Sequence, residues 1–191
     1  MKTILSMLGT VWLLLTATVF ADETLVNDLG PAMGTVIPHD LTARDQNGVP
    51  QSFKTLAGNK GAVLVFFRSA NWCPFCQMQL IDLNLHAAKE AKELGYPIIG
   101  VSYDPIKHLD KFSHKWSITY SLLSDEGSKI IDAFGVKNTT DFTPESRAWG
   151  VPHPIIIVTD KNGVIKEKLF KEGYRDRPEP QVILDVLKAL Q

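Results

Sequence analysis

Two cysteines three positions apart, with a different hydrophobic pattern on each side, constrain this chain more than any other feature. Upstream, Ala62–Phe67 is a continuous apolar run, as a strand buried on both faces requires. Downstream of Pro74 the pattern turns helical, with Phe75, Met78, Ile81, Leu85, Ala88 and Ala91 at helical spacing and Gly95 as the stop near Leu94. Trp72, Cys73, Pro74, Phe75 and Cys76 occupy the junction between the two. Pro74 suits the first helical position, where its missing N–H costs nothing, and that makes Cys73 the N-cap. A thiolate there accepts from the N–H groups of Phe75 and Cys76 and faces the positive end of the helix dipole. Both effects lower its pKa, and the thiolate is the nucleophile. Cys76, one turn inward, is placed to attack a mixed disulfide on Cys73.

These are the only cysteines in the 191 residues. A structural bridge usually closes a longer loop. A structural zinc site needs a second ligand pair, and His39, His86, His108 and His114 lack metal-ligand spacing. The pair therefore reads as a redox dithiol that needs no metal and no cofactor. A net charge of −1 gives no argument for a nucleic-acid partner.

The remaining chain alternates strands and helices, which implies parallel βαβ units in an α/β fold. Lys2 followed by an apolar stretch to Phe20, with Val19-Phe20-Ala21 as a cleavage site, reads as a signal peptide over residues 1–21. The alternative is an uncleaved membrane anchor. Export, with the periplasm as destination, would put the dithiol in an oxidising compartment. Residues 22–37 read as an extended lead-in and 38–191 as one domain. Asp45-Gln46-Asn47-Gly48 marks the turn of an N-terminal hairpin, and Ser52–Ala57 one helical turn. Strands are expected over Pro97–Tyr103, Tyr120–Leu123 and Pro154–Asp160, and helices from Asp104 to Trp116 and from Asp125 to Phe134. Residues 137–151 form a long polar loop. Val164–Phe170 pairs back through the Lys161-Asn162-Gly163 turn. Pro178–Leu190 closes the chain as an amphipathic helix with Val182, Ile183, Val186, Leu187 and Leu190 on one side.

The stretch FFRSANWCPFCQMQL resembles the alkyl hydroperoxide reductase/thiol-specific antioxidant family (AhpC/TSA, redoxins, peroxiredoxin-like proteins) of the thioredoxin-like superfamily. The likeness runs from about Gly34 to Leu190. It implies a thioredoxin-like fold, a central mixed β-sheet flanked by helices with an N-terminal β-hairpin. Peroxidases of this family carry Pro-x-x-x-Thr/Ser-x-x-Cys. Cys76 falls on their peroxidatic cysteine, Ser69 on the proline, Cys73 on the Thr/Ser, and Pro154 on a later active-site arginine. Thioredoxins carry a buried Asp where this chain has Phe67. By the same resemblance Pro154, after His153, is the cis-proline that faces the dithiol and leaves the His153 backbone free to pair with an incoming peptide.

Supporting roles follow for the neighbours. Arg68 stabilises a thiolate or is a surface charge at a strand end. Trp72 covers the disulfide and leaves only Cys73 reachable. His153 tunes the thiolate, moves a proton, or is a loop histidine. Three functions compete. In the first, an exported thiol–disulfide oxidoreductase attacks a disulfide-bearing protein through Cys73, and Cys76 resolves. In the second, a peroxiredoxin-like peroxidase reduces a hydroperoxide at Cys76, with Cys73 resolving and a separate thiol as electron donor. In the third, Cys73, Cys76 and His153 hold Cu(I), in resemblance to the copper-assembly branch of the fold, which has three residues between its cysteines where this chain has two.

Overall fold

The computed structural model describes residues 29–171, 173 and 175–191; the expected signal peptide and the start of the lead-in lie outside them. The apolar run forms β3 (Gly61–Phe66), buried along its whole length. It is buried because strands flank it on both sides and helices cover both faces. β4 (Ile98–Ser102) pairs with it in parallel and β6 (Ile155–Asp160) antiparallel. β5 (Ser121–Ser124) adds in parallel to β4. The hairpin of β1 (Ala43–Asp45) and β2 (Pro50–Gln51) caps that edge, and β7 (Ile165–Phe170) the other. The sheet is seven-stranded and mixed, in the order β2-β1-β5-β4-β3-β6-β7. The hairpin turn has the chemistry expected of it. The Asp45 carboxylate accepts the N–H groups of Asn47 at 2.9 Å and Val49 at 3.0 Å, and Gly48 takes a φ of +76°.

The helices are α1 (Phe53–Leu56), α2 (Pro74–His86), α3 (Ala88–Glu93), α4 (Ile106–Trp116), α5 (Lys129–Ala133) and α6 (Pro180–Ala189). Alternation along β3 divides the core between them. Val63, Val65 and Phe67 pack with α2, α3, α4 and α6, and Cys73 and Cys76 belong to this cluster. Ala62, Leu64 and Phe66 pack with α1 and α5 on the other face. The dithiol is thus built into a core rather than placed on a surface.

Several expectations need correction. The helix from Pro74 does not run unbroken to Leu94. Ala87, at φ −133° and ψ −36°, interrupts it between α2 and α3. Its phase also differs from the apolar stripe read from sequence. Cys76 points inward from the capped first turn, so Gln79, Leu80 and Leu83 follow it into the core. Met78 and Leu85, read as core positions, are 52% and 67% exposed. The helix expected from Asp125 starts only at Lys129. Ser128 sits at φ +56°, and the Asp125 carboxylate instead accepts the Ile131 N–H at 2.9 Å. On α6 the buried residues are Ile183, Leu184 and Leu187, while Val182 faces out. The described part of the lead-in is tied down. Gly34 N–H donates to Ile165 O at 2.9 Å, and Thr35 O accepts Ile165 N–H at 2.8 Å.

Candidate active site

β3 delivers the chain to the dithiol through Phe67, whose N–H donates to Val101 O at 3.1 Å and whose side chain is fully buried. Gly100 makes that possible, since a Cβ there would lie 2.6 Å from Leu122 Cδ2 and 3.1 Å from the Phe67 ring. The loop then turns over a buried carboxylate. Asp104 accepts the Ser69 hydroxyl at 2.8 Å and the Ala70 N–H at 2.6 Å. Ser69 Oγ in turn accepts the N–H groups of Asn71 at 3.0 Å and Trp72 at 3.3 Å. Burial pushes the Asp104 carboxyl above the usual range, while its bonds to Ser69 and Ala70 oppose that shift. Asp104→Ala would leave those donors without their acceptor. It is expected to cost about 3 kcal/mol, measurable by chemical denaturation.

Cys73 is the N-cap of α2, with Pro74 in the first turn. Its sulfur accepts the Cys76 N–H at 3.3 Å; the Phe75 N–H makes no such bond. Cys73 and Cys76 are joined as a disulfide with Cα atoms 5.3 Å apart. Both residues are sealed from solvent, at 1% and 0% exposure, so Trp72 does not leave Cys73 reachable as expected. Trp72 is instead half-buried beside the loop. Its indole N–H donates to the Tyr103 hydroxyl at 2.7 Å, and the Arg147 guanidinium lies 4.9 Å from its ring centroid. The 137–151 segment therefore reaches the site through Arg147. It folds back on itself by bonds of 2.8 Å from Asn138 N–H to Val151 O and from Gly150 N–H to Asn138 O.

Two guanidiniums approach the sulfurs. Arg68 is buried at 4% exposure rather than a surface charge, and its Nη2 donates to Cys73 Sγ at 3.3 Å. Arg177, which the sequence reading missed, comes from the segment before α6 and places Nη2 3.8 Å from Cys76 Sγ. Burial first, then the Arg68 charge, draws the Arg177 guanidinium down to about 10, so it stays cationic at neutral pH. Nothing local marks Arg177. It lies in the charged run Arg175-Asp176-Arg177 before a proline, which reads as a solvated face.

His153 and Pro154 do not do what the resemblance implied. The His153–Pro154 peptide is trans. The His153 N–H is already bonded to Val136 O at 2.7 Å, because 136–138 lies antiparallel to 151–153. An incoming peptide strand has no free donor there. The imidazole sits against Asp141, Nδ1 3.9 Å from Oδ2, and edge-on to Phe170. No hydrogen bond joins it to either sulfur. Burial depresses the His153 pKa from 6.5, with the Asp141 charge opposing. The unfolded chain then binds this proton more readily than the folded one, so His153 makes stability fall as pH drops below about 6.5. His153→Gln is expected to flatten that acid-side decline in melting temperature between pH 7 and pH 5. The copper ligand set is not assembled. Among the described residues no three His, Cys, Asp or Glu side chains stand together as a metal site.

The sequence model of the AhpC/TSA family matches residues 33–168. Peroxiredoxin Q, chloroplastic, of Sedum lineare is 30% identical over 81% of this chain and 75% of its own length. Peroxiredoxin Bcp of Escherichia coli is 28% identical over 84% of this chain and 98% of its own. Among solved structures, peroxidoxin BcpB from Mycobacterium tuberculosis superimposes with a TM-score of 0.70 at 25% identity, covering 83% of this chain and 97% of that one. The architecture is the thioredoxin-like fold of the peroxiredoxins.

Proposed function

The chain belongs to the AhpC/TSA family, and from that premise we propose that it is a thiol peroxidase whose peroxide-attacking sulfur is Cys76. The observation that carries this is the position of Cys76. By the sequence resemblance it corresponds to the peroxidatic cysteine of the family, and the peroxiredoxins compared above align over four-fifths of the chain. It also stands inside a core, beside a cation, with its partner sulfur one helical turn away. The Cys76 thiolate attacks one oxygen of a hydroperoxide. The S–O bond forms, the O–O bond breaks, and the alcohol or water leaves with a proton. The Cys73 thiolate then attacks the Cys76 sulfenic sulfur, releases hydroxide as water once protonated, and forms the disulfide seen here. A separate thiol donor returns two electrons. Its protein is outside the fold, and the enzyme needs no bound cofactor for these steps.

The test is a single turnover. Fully reduced protein mixed with one equivalent of hydroperoxide should lose two free thiols per peroxide consumed. Peroxide that persists while the thiols stay free would overturn the proposal.

One observation favours a second reading, a thiol–disulfide oxidoreductase with Cys73 as nucleophile. Cys73 Sγ receives both the Cys76 N–H and Arg68, the arrangement that stabilises a thiolate. The bonded His153 N–H argues against a peptide substrate, and the peroxidase reading already uses a stabilised Cys73 thiolate as the resolving group. Reduction of a protein disulfide faster than of a hydroperoxide would favour this second reading. We also place the enzyme outside the cytoplasm, on the strength of residues 1–21. N-terminal sequencing of the processed protein should then begin at Asp22.

A further inference from the structure

The geometry points to Arg177 as the catalytic cation of Cys76, leaving Arg68 to serve Cys73, so that each sulfur of the dithiol has its own guanidinium. The two contacts are separate. Arg68 Nη2 meets Cys73 Sγ at 3.3 Å, and Arg177 Nη2 meets Cys76 Sγ at 3.8 Å. The two arginines come from opposite ends of the domain. One lies at the end of β3 and the other just ahead of α6.

The need for such a cation is specific to Cys76. Cys73 has the helix N-terminus, taking the Cys76 N–H as well as Arg68. Cys76 lies inside the first turn, no described backbone N–H donates to its sulfur, and it is fully buried. Burial in apolar surroundings raises a thiol pKa, and a nearby guanidinium opposes that rise. Arg177 is half-buried. It lines a cleft of about 260 Å³ between α2 and the segment leading into α6, with Phe75, Met78 and Leu83 on its apolar side. Neither cysteine lines this cleft, whereas Arg177 both lines it and touches Cys76 Sγ, so its guanidinium connects the open cleft to the buried sulfur. The same group can then accept charge from the departing oxygen as the O–O bond breaks.

The inference rests on Cys76 being the attacking sulfur, and its test is chosen to stand apart from peroxide chemistry. In reduced Cys73→Ser protein, the rate of Cys76 alkylation by iodoacetamide is followed against pH, with the labelled residue confirmed by mass spectrometry. Arg177→Gln is expected to move the titration up by about one unit. The rate at pH 7 then falls about 10-fold while the high-pH plateau is unchanged. Arg177→Lys keeps a positive charge there and should recover most of the reactivity at pH 7. In the protein with both cysteines, Arg177→Gln should favour the disulfide over the dithiol about 10-fold, a potential about 30 mV more negative. A titration of Cys76 unchanged in Arg177→Gln overturns the assignment. So does a loss equal at every pH, which a purely structural role would give, or a lysine variant no better than the glutamine one. If the protein fails to consume peroxide but the alkylation profile shifts as described, the peroxidase reading falls and the role of Arg177 stands.

Discussion

Cys76→Ser is expected to bring peroxide consumption down to the uncatalysed background, a loss of at least about a thousand-fold. The reason is the division of labour between the two sulfurs. The hydroxyl that replaces the thiol has no accessible anion near neutral pH, and Arg177 would be left beside a neutral group. Cys73, though stabilised by Arg68 and the Cys76 N–H, is left without a sulfenic partner to attack. The readout is the initial rate of peroxide loss with excess thiol donor. Because Cys76 is fully buried and serine is smaller and nearly isosteric, the variant should melt close to the reduced parent. The loss is therefore chemical rather than structural.

Phe67→Ala should have the largest effect on stability, about 3–5 kcal/mol, read from the midpoint of chemical denaturation. Phe67 is among the largest fully buried side chains and packs in the cluster that holds Cys73, Cys76, Leu80 and Leu83. It also approaches Gly100, so its removal opens a void between β4 and α2 that flanking backbone cannot fill. The effect should spread to the dithiol, because Phe67 precedes the Asp104-held loop that positions Cys73. Phe67→Leu, which keeps most of the volume, should cost less than half as much. This position also separates the site from that of thioredoxins proper. Where they keep a buried carboxylate, this chain keeps hydrocarbon, and the buried acid Asp104 holds the backbone of the loop.

What could be read in the sequence was local. The apolar run that became β3, the Asp45–Gly48 turn and the Cys73-Pro74 cap each depend on a few adjacent residues and their backbone preferences. Helical phase was harder. Met78 and Leu85 are apolar enough to suggest a buried stripe, but the inward turn of Cys76 sets which side faces the sheet. Contacts between distant segments left no local trace. Arg177 is 101 residues from the sulfur it approaches. Asp104 looked only like the start of a helix, although its carboxylate reaches Ser69 and Ala70. Pro154 shows the opposite error. The family resemblance implied a cis bond and an open backbone there. Residues 136–138 pair with that segment and occupy the His153 N–H, which nothing around Pro154 reveals.

The most direct test asks which sulfur takes the oxygen. Reduced Cys73→Ser protein is mixed with one equivalent of hydroperoxide in the presence of a sulfenic-acid-specific carbon nucleophile, and its peptides are mapped by mass spectrometry. The account predicts one label per chain, on Cys76, with the peroxide consumed. Cys76 recovered as the free thiol, with the peroxide intact, would contradict it.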